Sequence, residues 1–137
     1  MTTDAFIREL CSIFGEEYEG VYDRAVKCGW LDTEDLLFKD RTITRKNAAR
    51  IIHMYLLKVS GLSDISGISG AEKLRDLYDC RVCTNHVAQV YLRGIMDAKD
   101  LSKDGGFLWF DLDGEDDPET NRMYLKRAAK YAARSLD

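Results

Sequence analysis

CGWLD at residues 28–32 and RGIMD at residues 93–97 are two versions of one passage. Each closes an apolar-spaced run with a glycine, sets two large apolar residues directly behind it, and ends in aspartate. A helix stops readily at glycine because glycine takes the left-handed conformation cheaply, and an apolar pair behind the stop has to be buried. After the first passage a loop leads to a helix opening on TRKNAA (44–49). After the second, a longer loop leads to one opening near ETNRMYLKRAA (119–129). Setting Gly29 on Gly94 brings Tyr22 onto Val87, Ala25 onto Val90, Trp30 onto Ile95 and Leu31 onto Met96. A helix–loop–helix unit present twice is the simplest account. Neither unit can bury its apolar face alone, so the two must stack.

The rest of the chain supports an all-α reading. One proline and ten glycines in 137 residues leave long stretches free to be helical. Apolar spacing at i, i+3, i+4 and i+7 predicts a helix over 4–14, with Phe6, Ile7, Leu10, Ile13 and Phe14 on one side. A second is predicted over 16–28, and a third over 44–60 with Ala48, Ile51, Ile52, Tyr55, Leu56 and Val59 inward. GLSDISGISG (61–70) reads as a connector. Residues 71–78 suggest a short helix and 83–93 a clear one. The last opens on Asp117 as N-cap with Pro118 at the first helical position, and runs to 136. The expected organisation is a single domain, 1–137: an N-terminal helix (4–14), unit one (16–60), the connector (61–70) and unit two (71–136).

Composition excludes several function classes. A formal charge of −4 makes a general binder of polyanions unpromising. The stripe Lys39, Arg41, Arg45, Lys46 and Arg50 is basic, but about 15 residues separate Gly29 from Thr44, where a helix–turn–helix reader needs a turn of 3–4. No nucleic-acid partner is expected. The apolar run at 51–59 is broken by His53 and Lys58 and falls short of the roughly 20 residues of a membrane span. Asp4, Arg8 and Glu9 stand where a secretory signal would be apolar, so the expected location is cytoplasmic, or the cell surface if the chain is a fragment or mature form.

The passages 29–31 and 43–48 (Gly29-Trp30-Leu31, then Ile43-Thr44-Arg45-Lys46-Asn47-Ala48), with Leu77-Tyr78-Asp79 before the helix ending in Gly94-Ile95-Met96, resemble the S-layer homology (SLH) family over roughly residues 17–135. The resemblance implies a compact bundle whose grooves bind pyruvylated, anionic cell-wall polysaccharide and anchor proteins to bacterial walls. It implies a non-catalytic carbohydrate-binding module with no cofactor. By the same resemblance Thr44 caps a helix, Arg45 meets the acidic sugar, and Gly29 allows a close approach. Arg41 would assist, with Arg122 and Trp109 as second-half candidates. A carboxylate suits a helix N-terminus, where free N–H groups and the dipole favour it, and arginine adds a bidentate pair. The chain departs from the family where Asn47 replaces the usual Glu, where Thr120-Asn121-Arg122 sets the arginine one place late, and where two units replace three. A homo-oligomer would supply further units. The alternative function is an intracellular protein-interaction module that keeps the fold without the glycan site.

Three other constellations are weaker. Cys80, Cys83 and His86 have the spacing of a zinc knuckle, with Cys28, Cys11 or His53 needed as a fourth ligand. Two small apolar, reduced cysteines are the simpler reading, a redox Cys-x-x-Cys would want a strand–helix setting that is absent here, and Cys83 with His86 as nucleophile and base lacks an orienting acid or an oxyanion site. The acidic run 111–117 fails the EF-hand template, since Asp116 occupies the glycine position and Arg122 that of the terminal Glu. It reads as a solvated loop favouring the start of the last helix. Phe107, Leu108, Trp109 and Phe110 form an aromatic cluster that fills a core or, if exposed, stacks on a sugar or partner.

Overall fold

The computed structural model describes residues 1–100 and 107–135. Among them are six helices, α1 (Thr3–Phe14), α2 (Val21–Cys28), α3 (Thr33–Leu37), α4 (Arg45–Lys58), α5 (Thr84–Leu92) and α6 (Pro118–Ser135). Two short strands, β1 (Lys99–Asp100) and β2 (Leu108–Trp109), pair antiparallel, Lys99 opposite Trp109. The fold is mostly helical, and this ribbon corrects the all-α expectation. The predicted helix end at 136 lies outside the described residues.

The core gathers on α4. Its buried side includes Ala48, Ala49, Ile51, Ile52, Tyr55 and Leu56, each large apolar side chain contributing roughly 1.5–3 kcal/mol on burial. α4 packs against α5 and α6, and α1 lies on α6 through Phe6, Ile7 and Leu10, which are fully buried. α1 is started by Thr2, whose hydroxyl accepts from the Ala5 amide at 3.0 Å. Its entry is stitched to the segment before α4: the Thr3 and Asp4 amides donate to Arg41 O and Lys39 O, and the Ile43 amide to Met1 O. That seam fixes the backbone of residues 39–43.

The two glycine passages adopt the same cap. Gly29 and Gly94 close α2 and α5 at φ 95° and 72°. In each, the two following amides return to one carbonyl, Trp30 and Leu31 to Ala25, Ile95 and Met96 to Val90. All four of those apolar side chains are buried.

Local chemistry explains the other departures. α2 begins at Val21 and not at 16, because the Arg24 guanidinium binds the Glu17 and Glu19 carbonyls and holds the approach in a loop. Inside the expected loop stands α3, started by a reciprocal capping box between Asp32 and Asp35. The short helix predicted over 71–78 is only a 3₁₀ turn (Ser69–Ala71) followed by further turns. Leu74 there bridges to Leu108, and the Asp76 carboxylate turns inward to the amides of Phe110, Asp111 and Leu112.

Candidate functional site

The start of α4 is where the sequence placed its main ligand contact. Thr44 is the N-cap, its hydroxyl accepting from the Asn47 amide at 3.4 Å. The next two amides are also spent, Arg45 N–H on Gly114 O (2.8 Å) and Lys46 N–H on Leu112 O (2.9 Å). Arg45 is 2% exposed. Its Nε donates to Phe110 O (2.7 Å), one terminal nitrogen to Asp116 (2.5 Å) and the Tyr124 hydroxyl (2.6 Å), and the other to Asp97 O (2.5 Å). The anion at this helix start is therefore the chain's own Asp116. Arg45 lies inside the protein, a correction to its expected role against an external sugar.

Burial alone would push the Asp116 carboxyl up. The Tyr124 hydroxyl, Arg45 and Lys99 outweigh it and hold Asp116 below the usual carboxylate range. Tyr124 is pushed up to about 12 by burial and by its hydrogen bond to that carboxylate. The acidic loop is thus not merely solvated. Asp116 is buried against Arg45, Asp113 reaches Lys46 (2.6 Å) and Asp111 reaches Lys99 (3.5 Å).

Outside this lock, three adjoining recesses follow the first turns of α4. One of about 340 Å³ is bordered by Phe38, Arg41, Thr44, Asn47 and Arg50, with the carboxylates of Asp32, Glu34 and Asp35 on the same lining. A second, of about 410 Å³, shares Asn47 and Arg50 with it and adds Lys46, Cys80, Cys83 and His86. A third, of about 380 Å³, shares Lys46 and Cys80 and reaches Trp109, Asp76 and Asp79. Of the proposed ligand residues, Arg41 and Thr44 share a cleft, and Trp109 stands two recesses away. Arg122 lies on α6 in a separate shallow basin with Lys126 and Lys130, and pairs with Glu9 at 3.0 Å. Gly29 borders none of these recesses; a Cβ there would meet the Lys58 side chain at 3.6 Å.

The cations differ in how far they are committed. Arg50 grips Asp35 with two bonds of 2.6 and 3.0 Å. Arg41 is exposed, its guanidinium 4.0 Å from the centre of the Phe38 ring, and among the described residues no carboxylate lies within ion-pair distance of it.

The cysteine knuckle resolves differently from either sequence reading. Cys80 and Cys83 form a disulfide, their Cα atoms 5.2 Å apart across one 3₁₀ turn. Bonded to each other, these sulfurs are neither reduced thiols nor metal ligands, and among the described residues no group of three His, Cys, Asp or Glu is placed to hold a metal ion. Cys11 and Cys28 are free, with the buried Cys11 thiol pushed up to about 11 by desolvation.

The buried His53 and the half-buried His86, brought together by the sequence only as possible zinc ligands, form a hydrogen-bonded pair. His53, 4% exposed, meets His86 Nδ1 to Nδ1 at 2.7 Å and Asp64 through Nε2 at 2.7 Å. The Asn85 amide holds the other Asp64 oxygen at 2.9 Å. Burial would raise the Asp64 carboxyl, but its bonds to His53 and Asn85 hold it below the usual range. With both rings neutral, the network assigns His53 Nε2–H to Asp64 and His86 Nδ1–H to His53, leaving His86 Nε2 as an acceptor. Sequence reasoning had set His53 beside His86 only as a possible fourth zinc ligand, and Asp64 behind them went unseen.

Burial and the neighbouring His53 lower His86 from 6.5 to about 4. The unfolded chain therefore binds the proton first, and stability falls as pH drops from about 6.5 towards 4. With His86 partly exposed, the expected loss is roughly 1–2 kcal/mol. Asp4, Asp64 and Asp116 are held below 3.8 and lose their contributions only lower, as pH falls through their folded values. Urea unfolding at about pH 7 and about pH 5 reads the histidine effect, and His86→Asn is expected to flatten it.

No protein-family model, curated protein or solved structure matches the chain. Among the described residues no helix is long and apolar enough to cross a membrane.

Proposed function

We propose that this chain is a non-catalytic binding module of the kind that the S-layer homology resemblance implies, built from two units in place of the family's three, taking an anionic cell-wall saccharide in the cleft beside α4. The observation that carries it is Arg41, exposed on the Phe38 ring without a carboxylate partner, while Arg45, Arg50 and Arg122 are paired. The Phe38 ring limits the conformations of the guanidinium, and Thr44 and Asn47 line the same cleft for sugar hydroxyls. The matching caps at Gly29 and Gly94 support the two-unit reading. Arg41 thereby takes the contact first assigned to Arg45.

Retention of the purified protein on pyruvylated wall polysaccharide at low salt tests it. The wild type should be retained, and Arg41→Ala should bind about tenfold more weakly, the loss of about 1.4 kcal/mol. Removing the ketal groups should have a similar effect. No retention of the wild type would sink the glycan reading.

A second reading has its own observation. Leu36, Leu37 and Phe38 are 47%, 73% and 39% exposed in succession on α3 and its end. An apolar patch of this kind suits a protein partner. Binding lost in Leu37→Asp but kept in Arg41→Ala would select that alternative.

A further inference from the structure

The Cys80–Cys83 disulfide borders the recesses without taking part in the proposed saccharide contact. Both cysteines line the recess that holds His86, and Cys80 also lines the one that reaches Trp109. Neither sulfur is sealed in the core: both residues are half-buried, and Val82 between them is 83% exposed. Cys83 is the N-cap of α5; no side chain caps that start, and its own amide and that of Thr84 are spent on Cys80 O and Arg81 O. A thiolate released there would meet the positive end of the helix dipole. The recess wall adds Lys46 and Arg50, each partly offset by its own partner, Asp113 and Asp35. Asp32 on the same wall and Asp79 beyond Cys80 are the opposing charges. His86, backed by His53 and Asp64, stands on the same wall as a neutral ring with one free acceptor nitrogen.

We propose that Cys80–Cys83 is an exchange-active disulfide, opened and closed by low-molecular-weight thiols entering this recess, with Cys80 as the attacked sulfur and Cys83 as the leaving thiolate. The entering thiol loses its proton to solvent before it attacks. The thiolate attacks Cys80 Sγ, the Cys80–Cys83 bond breaks, and its electron pair leaves on Cys83. A second thiolate attacks the small-molecule sulfur of the mixed disulfide and releases Cys80. In sum, two thiols are oxidised to one disulfide and the protein disulfide is reduced to a dithiol; the reverse sequence closes it. Stabilisation of Cys83 comes from the helix start, not from an imidazolium.

The test uses the full chain with Cys28→Ser, which removes the exposed free thiol. Folded protein is held in mixtures of reduced and oxidised glutathione, quenched, alkylated and read by mass spectrometry. The expected result is reversible opening without unfolding, with glutathione trapped on Cys80 when Cys83 is serine. Reduced Cys83 should alkylate with an apparent pKa at least about one unit below the ordinary 8.5, or roughly tenfold faster at low pH than an ordinary thiol. A bond that stays closed until urea unfolds the chain overturns the proposal, as does an ordinary titration of both thiols. So does a reduced protein that binds one zinc and loses it in Cys80→Ser, because the cysteines would then be metal ligands.

Discussion

Replacing Arg45 by alanine is expected to destabilise the fold by about 3–5 kcal/mol, a large part of the stability of a domain this size. The guanidinium joins four partners from three parts of the chain: Asp97 O, Phe110 O, Asp116 and the Tyr124 hydroxyl. Without it, Asp116 remains nine-tenths buried with Lys99 at 3.2 Å as its surviving cation. The Phe110 carbonyl loses its donor inside the core, and desolvated acceptors without donors cost more than the hydrogen bonds were worth. Lys99 is about one-third exposed and offsets part of the loss, which favours the lower end of the range. Urea unfolding measures it, with a fall in Tm of roughly 10 °C or more as the thermal counterpart. Arg45→Met with Asp116→Leu separates charge from packing. Removing both charges should recover much of the loss, as apolar replacement of buried ion pairs often does. A single-variant loss below about 1 kcal/mol would mean that water reaches and solvates Asp116.

The fold was legible where the signal is local. Thr44 and Asp117 announce helix starts because their oxygens satisfy amides within their own turn. Gly29 and Gly94 announce helix ends for an equally local reason. The failures share a different cause. Residues 71–78 have helical spacing, yet Asp76 and Leu74 make their decisive contacts with residues near 108–112. Arg24 likewise holds 16–20 out of a helix with side-chain bonds to carbonyls that propensity does not weigh. The ribbon between β1 and β2 is two residues per strand, too short to leave an alternating pattern.

The site was less legible, and Arg45 shows why. The sequence gives a basic residue after a cap and a helix start suited to an anion. Whether the anion comes from outside or from residue 116, 71 positions further along the chain, depends on how the intervening segment folds. Arg41 was visible only as a helper. Its freedom follows from the seam with α1 and the stacking on Phe38, both tertiary. Cys80 and Cys83 were correctly singled out by spacing, but spacing does not distinguish a disulfide from a ligand pair. His53 looked like an interruption in an apolar stripe, and its partner lies 33 residues on.

Asp76→Ala is expected to cost about 3 kcal/mol or more, although Asp76 makes no ion pair in the buried cluster around Arg45. Its carboxylate is 5% exposed and accepts from the amides of Phe110 (2.8 Å), Asp111 (2.8 Å) and Leu112 (3.3 Å). Alanine leaves these donors at the floor of the recess that Asp76 lines, where water replaces the fixed carboxylate only in part. The effect spreads because the same loop supplies the Leu112 and Gly114 carbonyls that satisfy the first amides of α4. Asp76→Asn keeps one acceptor oxygen and the shape, so about half of the loss is expected. Asp76 and Arg45 grip the one loop from two sides, so their losses should not add. A double-mutant cycle should give a coupling of about 1–2 kcal/mol. Amide hydrogen exchange locates the damage: in Asp76→Ala the Arg45 and Lys46 amides should exchange at least about tenfold faster, while the core of α4 near Ile52 changes only with global stability. If those two amides keep their full protection, the loop holds its place without Asp76 and the α4 start does not depend on it.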